Sequence, residues 1–128
     1  GGGYELLASL RAAAARAETG DKPGAIALYR QLSGDTGYDP VYRDLAVVME
    51  ALLIIDDAEA EAIRSRLAPL MADDNPWRHS ARELAAHAAM RGGDRKAARE
   101  LFTKLAGDGD APGGVRSRAS EMLSALGN

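Results

Sequence analysis

The chain has 128 residues, 46% of them hydrophobic and 27% charged, with a net charge of −3. That length holds one domain with a real core, and the interleaved acids and bases lack the basic stripe of a nucleic-acid binder. With no cysteine there is no disulfide and no thiolate metal site, and no apolar run reaches the length of a membrane span.

Alanine is abundant, aromatics make up 5%, and no stretch alternates apolar and polar over the length of a strand. Alanine is the best helix former and lets helices approach closely. The chain therefore reads as all-α. Gly1-Gly2-Gly3 reads as a remnant or linker, to be left out of fold reasoning.

Seven helices follow in order. The first is expected from Tyr4 to Glu18, with Leu6, Leu10, Ala13 and Ala17 on one face, and Gly20-Asp21 ends it. The second, from Lys22 to Ser33, carries Pro23 in its first turn and turns Ala25, Leu28, Tyr29 and Leu32 inward. After a loop at 34–40, Asp39 caps a third helix that begins at Pro40 and runs to Ile55. Val41, Leu45, Val48, Leu52 and Ile55 line one face, and Val47, Ala51 and Ile54 a second, which predicts a central place for this helix.

Asp56-Asp57 starts a fourth helix with Ala60, Ile63, Leu67 and Leu70 inward, shortened or kinked by Pro69. Asn75 caps a fifth with Pro76 in its first turn, and Trp77, Ala81, Leu84 and Ala88 share a face. Gly92-Gly93 stops it. A sixth runs from Asp94 to Ala106 with Ala98, Leu101, Phe102 and Leu105 inward. The seventh carries Val115, Ala119, Met122 and Leu126.

Two segments repeat. Gly20-Asp21 precedes Ala25, Tyr29 and Leu32; Gly93-Asp94 precedes Ala98, Phe102 and Leu105 at the same offsets, 73 residues on. That is close to two periods of the tetratricopeptide repeat, about 34 residues each. A middle copy is expected at Asp56, Ala60 and Leu67, with Arg64 in the place of the aromatic. The expected architecture is a tetratricopeptide-like solenoid of three antiparallel helix pairs plus a C-terminal capping helix. Its parts are 4–33, a degenerate 39–71, 75–106 and the cap at 111–126, all in one domain at 4–128. Arg116, Arg118 and Glu121 give the cap its polar side. The competing reading is a helical bundle in which a Gly-Asp turn recurs by chance.

From Tyr4 to Leu126 the chain also resembles a bacterial tetratricopeptide-repeat-like family that includes the ancillary subunit of the Sec translocon, in its alphaproteobacterial form. The residues that carry this are Gly3-Tyr4-Glu5-Leu6-Leu7-Ala8, Gly20-Asp21 with Ala25, Arg43-Asp44-Leu45-Ala46 and Arg66-Leu67-Ala68-Pro69-Leu70. Asn75-Pro76-Trp77-Arg78 with Ser80-Ala81-Arg82-Glu83-Leu84 follows, and Pro112 with Val115-Arg116 and Arg118-Ala119 closes the series. The resemblance implies a membrane-anchored protein whose repeat domain faces the periplasm beside the inner membrane, with one more helix pair before the Gly-Tyr block. It implies no catalytic site and no cofactor.

The residues themselves offer no chemistry. His79, Glu83 and His87 fall at i, i+4 and i+8, but the two histidines stand about 12 Å apart along a helix, too far to share an ion bound at about 2 Å. Asp108-Gly109-Asp110 begins like a calcium loop, yet Pro112 and Ala119 occupy later ligand positions. Asp56-Asp57 and Asp73-Asp74 suit helix starts better than acid–base work. Trp77 is either a binding anchor or, on its apolar face, a core residue.

The candidate site is a surface that takes a protein or peptide. Counting from Ala98 by the repeat's convention puts Ser80, Glu83, His87, Met90 and Arg91 toward a groove, and the same count from Ala60 gives Tyr42, Leu45 and Met49. Arg118 is expected to point away from it. The alternative is a homodimer through the N-terminal helix, covering Leu7 and Ala14.

Overall fold

A computed structural model of the chain describes residues 2–127. Gly1 and Asn128, the outer ends of the remnant and of the domain range expected above, lie outside them. The described residues are all-helical, without strands, and helices adjacent in sequence pack on one another within each of two compact units, Gly1–Ile54 and Ile55–Asn128.

The first unit holds α1 (Gly2–Glu18), α2 (Lys22–Gly34) and α3 (Pro40–Ile54). Gly2 and Gly3, read above as leftover, lie in the first turn of α1. Leu6 and Ala13 meet Ala25, Tyr29 and Leu32 of α2 and Ala46 of α3 in one core, as the periodicity predicts. Burial raises the pKa of the Tyr29 hydroxyl. Asp39 caps α3, its Oδ1 accepting the Val41 N–H at 3.0 Å. On α3, Val47, Val48 and Ala51 are buried, but Leu52, expected on a buried face, is exposed.

The second unit holds α4 (Ala60–Leu67), a 3₁₀ turn at Ala68–Met71, α5 (Arg78–Arg91), α6 (Arg95–Ala106) and α7 (Gly113–Leu126). Pro69 occupies the start of the 3₁₀ turn and ends α4 where expected. Asn75 acts earlier than a cap of the helix body. Its Oδ1 accepts the Trp77 N–H at 2.8 Å and forms a turn that leads into α5, which starts at Arg78. Ala98, Phe102 and Leu105 join Val115, Ala119 and Leu126 in the core. Each large apolar side chain so buried contributes about 1.5–3 kcal/mol. Arg95 and Arg99 donate to the carbonyls of Leu126 and Gly127 at 2.5 and 3.1 Å, placing cations at the C-terminal end of α7.

The turns at 20–21 and 93–94 are built alike. Gly20 and Gly93 have φ of +89° and +83°, the left-handed region that favours glycine. Asp21 and Asp94 then cap the next helix, each Oδ1 accepting the N–H three residues on at 3.0 Å. Each Oδ2 holds an arginine, Arg16 of α1 at 3.4 Å in the first copy and Arg64 of α4 at 3.1 Å in the second.

The middle copy departs from the expected register. α4 begins at Ala60 with Glu59 as its cap position, not at Asp56-Asp57. The Ile63 N–H bonds to the Glu59 carbonyl, as Ala25 bonds to Asp21 and Ala98 to Asp94. The buried series on α4 and its 3₁₀ extension is Ile63, Leu67 and Leu70, spaced as Ala25, Tyr29 and Leu32 are. By burial and spacing, Ile63 and Leu67 correspond to Ala25 and Tyr29, where the sequence offered Ala60 and Arg64. Arg64 faces Asp94 instead. The reason is the connection before α4: residues 55–59 contain no glycine, so no left-handed turn forms, and the helix starts later.

Candidate interaction surface

In the first unit, Leu6, Leu7 and Leu10 of α1, with Gly3, meet Tyr42 of α3 around an apolar depression of about 280 Å³. Leu7 and Tyr42 are each 45% exposed, and Tyr4 is the most exposed large hydrophobic residue. The cap of α3 sets Tyr42: the Asp39 carbonyl accepts its N–H at 3.0 Å, which fixes the first turn and the tyrosine upon it. Leu45, one turn on, is half-buried, and Met49 packs against the core of this unit. Of the three α3 residues expected in a groove, Tyr42 alone lines the depression. The count that selected them ran from Ala60. Five residues, 55–59, separate the end of α3 from α4, whereas three separate the corresponding helices at 19–21 and 92–94, so a count carried across the first connection is out of step with one carried across the others.

In the second unit the expected groove residues of α5 are engaged by their own neighbours. Glu83 accepts two hydrogen bonds from the Arg118 guanidinium of α7, at 2.8 and 3.0 Å. That contact raises the pKa of Arg118, first through the hydrogen bond and then through the carboxylate's charge. His87 stands edge-on to Phe102, ring centres 5.4 Å apart. Met90 packs on the core, Arg91 donates to the Ala58 carbonyl, and Ser80 is half-buried. Arg118, expected to point away, is the partner that closes over Glu83. Trp77 is half-buried at the start of α5.

His79, Glu83 and His87 diverge toward Asp108, Arg118 and Phe102 respectively. Among the described residues no three His, Asp or Glu side chains converge as a metal requires. Asp108 uses Oδ1 to accept the Asp110 N–H at 2.9 Å, which shapes the turn into α7.

Two buried charges escaped the sequence reading. Glu50 of α3 is buried and paired with Arg30 Nε of α2 at 2.8 Å. Arg82 of α5, 3% exposed, donates to the Met71 carbonyl at 2.7 Å and to Asp73 Oδ1 at 2.8 Å. Arg82, by that hydrogen bond above all, lowers the pKa of Asp73, and Lys104 adds to it. For Glu50 the available signal was a lone charge inside an apolar run, Val47-Val48-Met49-Glu50-Ala51; Arg82, followed directly by Glu83, gives no such signal. Such a charge is kept only with a partner.

No protein-family model, curated protein or solved structure matches this chain.

Proposed function

We propose that the chain is a non-enzymatic interaction module of tetratricopeptide-like build, which takes a protein or peptide segment on the apolar depression of its first unit. The observation that carries this reading is the exposure of Leu7 and Tyr42 on either side of that depression. Apolar groups grouped around a concavity, with an aromatic at the rim, suit a docked side chain. The repeat build is supported by the matched turns at 20–21 and 93–94. A place on the periplasmic side of an inner membrane, tethered near a translocon, rests on the family resemblance.

The test is photo-crosslinking in the natural protein in its own cells from position 42, with exposed Glu100 of α6 as control. Capture of one defined protein from position 42 alone, lost in a Leu7→Glu variant, is the expected result. The same mixture from both positions overturns the reading. The exposure of Tyr4 and Leu7 on one helix supports a second reading, self-association through α1. Its mark is a mass that rises with concentration and becomes monomeric in Leu7→Glu.

A further inference from the structure

His79 lies in the first turn of α5, with its side chain only 12% exposed and its Nδ1 buried without a hydrogen-bond partner among the described residues. The nearest acceptor is Asp108 Oδ2, at 3.6 Å. That gap is beyond hydrogen-bond range, and a buried polar atom left without a partner is destabilising.

Asp108 is the frame of the α6–α7 connection. Its Oδ1 accepts the Asp110 N–H, its carbonyl accepts the Ala111 N–H at 3.1 Å, and Ala111 is itself buried in the core of the unit. A small movement of this carboxylate therefore acts on the chain entering α7.

We propose that His79 and Asp108 form a proton-operated latch between α5 and the α6–α7 loop. In the neutral imidazole only one ring nitrogen carries a proton; in the charged ring both do, and Nδ1 becomes a donor aimed at a carboxylate. A charge-assisted bond is shorter than the present 3.6 Å separation. Protonation then draws Oδ2 toward the ring and tightens the loop.

The surrounding charges permit this. Arg82, on α5 beside His79, faces the same Oδ2 at 3.7 Å, but that is the longest of its contacts. Its bonds to Met71 and Asp73 are 2.7 and 2.8 Å and keep it satisfied if Asp108 turns away. Lys104 of α6 lies 3.6 Å from Asp73, so the two cations and two carboxylates balance before His79 takes up a proton. From the other elements packed on α5, Arg118 of α7 is engaged by Glu83 and Arg64 of α4 by Asp94, and neither competes for Asp108.

The experiment is amide hydrogen exchange of Asp110 and Ala111 at pH 5 and pH 8, expressed as protection relative to the unfolded chain. Protection is expected to rise roughly fivefold at the lower pH in the wild type, and not in His79→Gln or Asp108→Asn. An equal rise in His79→Gln, or none in the wild type, overturns the latch. Should the variants fail to fold, the wild type alone decides by NMR titration. The Asp110 amide must move with the same midpoint as the His79 ring, with His87 as the internal contrast. An Asp110 midpoint that does not follow His79 overturns the proposal.

Discussion

Ala60 stands so close to Gly92 that a methyl group on the glycine would lie 2.8 Å from the alanine's own Cβ. The first turn of α4 and the end of α5 thus touch backbone to methyl, and the missing side chain is what admits the contact. Gly92 has an ordinary φ of −81°, so its need for glycine is purely one of space. A methyl group on Gly93 beside it would meet nothing within 4 Å, and its need is one of conformation, φ +83°.

These two needs separate in mutants. Gly92→Ala and Gly93→Ala should both destabilise, the latter by about 1–2 kcal/mol from left-handed strain. Ala60→Gly should recover part of the loss from Gly92→Ala and none of that from Gly93→Ala. Denaturant unfolding of the two double mutants checks this; equal rescue would contradict it.

Arg82→Met keeps the length of the side chain and removes its donors. The Met71 carbonyl loses a part-buried bond, while Asp73, 90% exposed, is rehydrated and accounts for the smaller share of the loss. A loss of about 1–3 kcal/mol is expected in thermal or denaturant unfolding. Lys104→Met, which removes only an outer contact of Asp73, should stay within about 0.5 kcal/mol of the wild type.

Acid should destabilise the second unit through Asp94 and Asp73. The Ala97 N–H, chiefly, holds the pKa of Asp94 down, with Arg64 adding to it; Arg82, chiefly, holds down that of Asp73. A carboxyl with a depressed folded pKa adds stability that is complete above its unfolded value, about 3.9 for aspartate, and is lost as pH falls through the folded one. Unfolding curves should thus weaken below about pH 4, and the Asp73→Asn/Asp94→Asn double variant should show a shallower decline. An unchanged slope would count against it.

Phe102→Ala removes a fully buried ring and should cost about 3–5 kcal/mol. The same change releases the His87 ring from its edge contact. The proton shifts of His87 should move to those of a solvated histidine, while a conservative Phe102→Tyr should leave them near the wild type.

Much of the all-helical fold was legible because apolar spacing and turn residues agree. Gly20-Asp21 and Gly93-Asp94 give both the break and the restart of a helix, and Asp39-Pro40 marks a start. The middle register was not legible. It depends on where α4 begins, and without a glycine turn at 55–59 only burial of Ile63, Leu67 and Leu70 decides that. At the candidate surface, Tyr42 comes from a count along the repeat, whereas in the structure it is the Asp39 cap that fixes its turn. The same count puts Glu83 and His87 toward a groove, and such a count names a helix face, not the neighbour upon it. Arg118 and Phe102 arrive from 35 and 15 residues away in sequence, and spacing along one helix carries no trace of them.

The two aspartate turns also differ in when they can be finished. At Asp21 the arginine comes from the helix just completed, so that corner can close as soon as α1 and α2 have formed. At Asp94 the place of Arg16 is taken by Ala89, and the arginine is Arg64, 30 residues earlier in the chain. That corner is complete only after α4 has docked. One copy is a local event of folding and the other a distant one. Fraying of α4 should therefore loosen the first turn of α6, while the corresponding turn of α2 depends on nothing beyond its own hairpin.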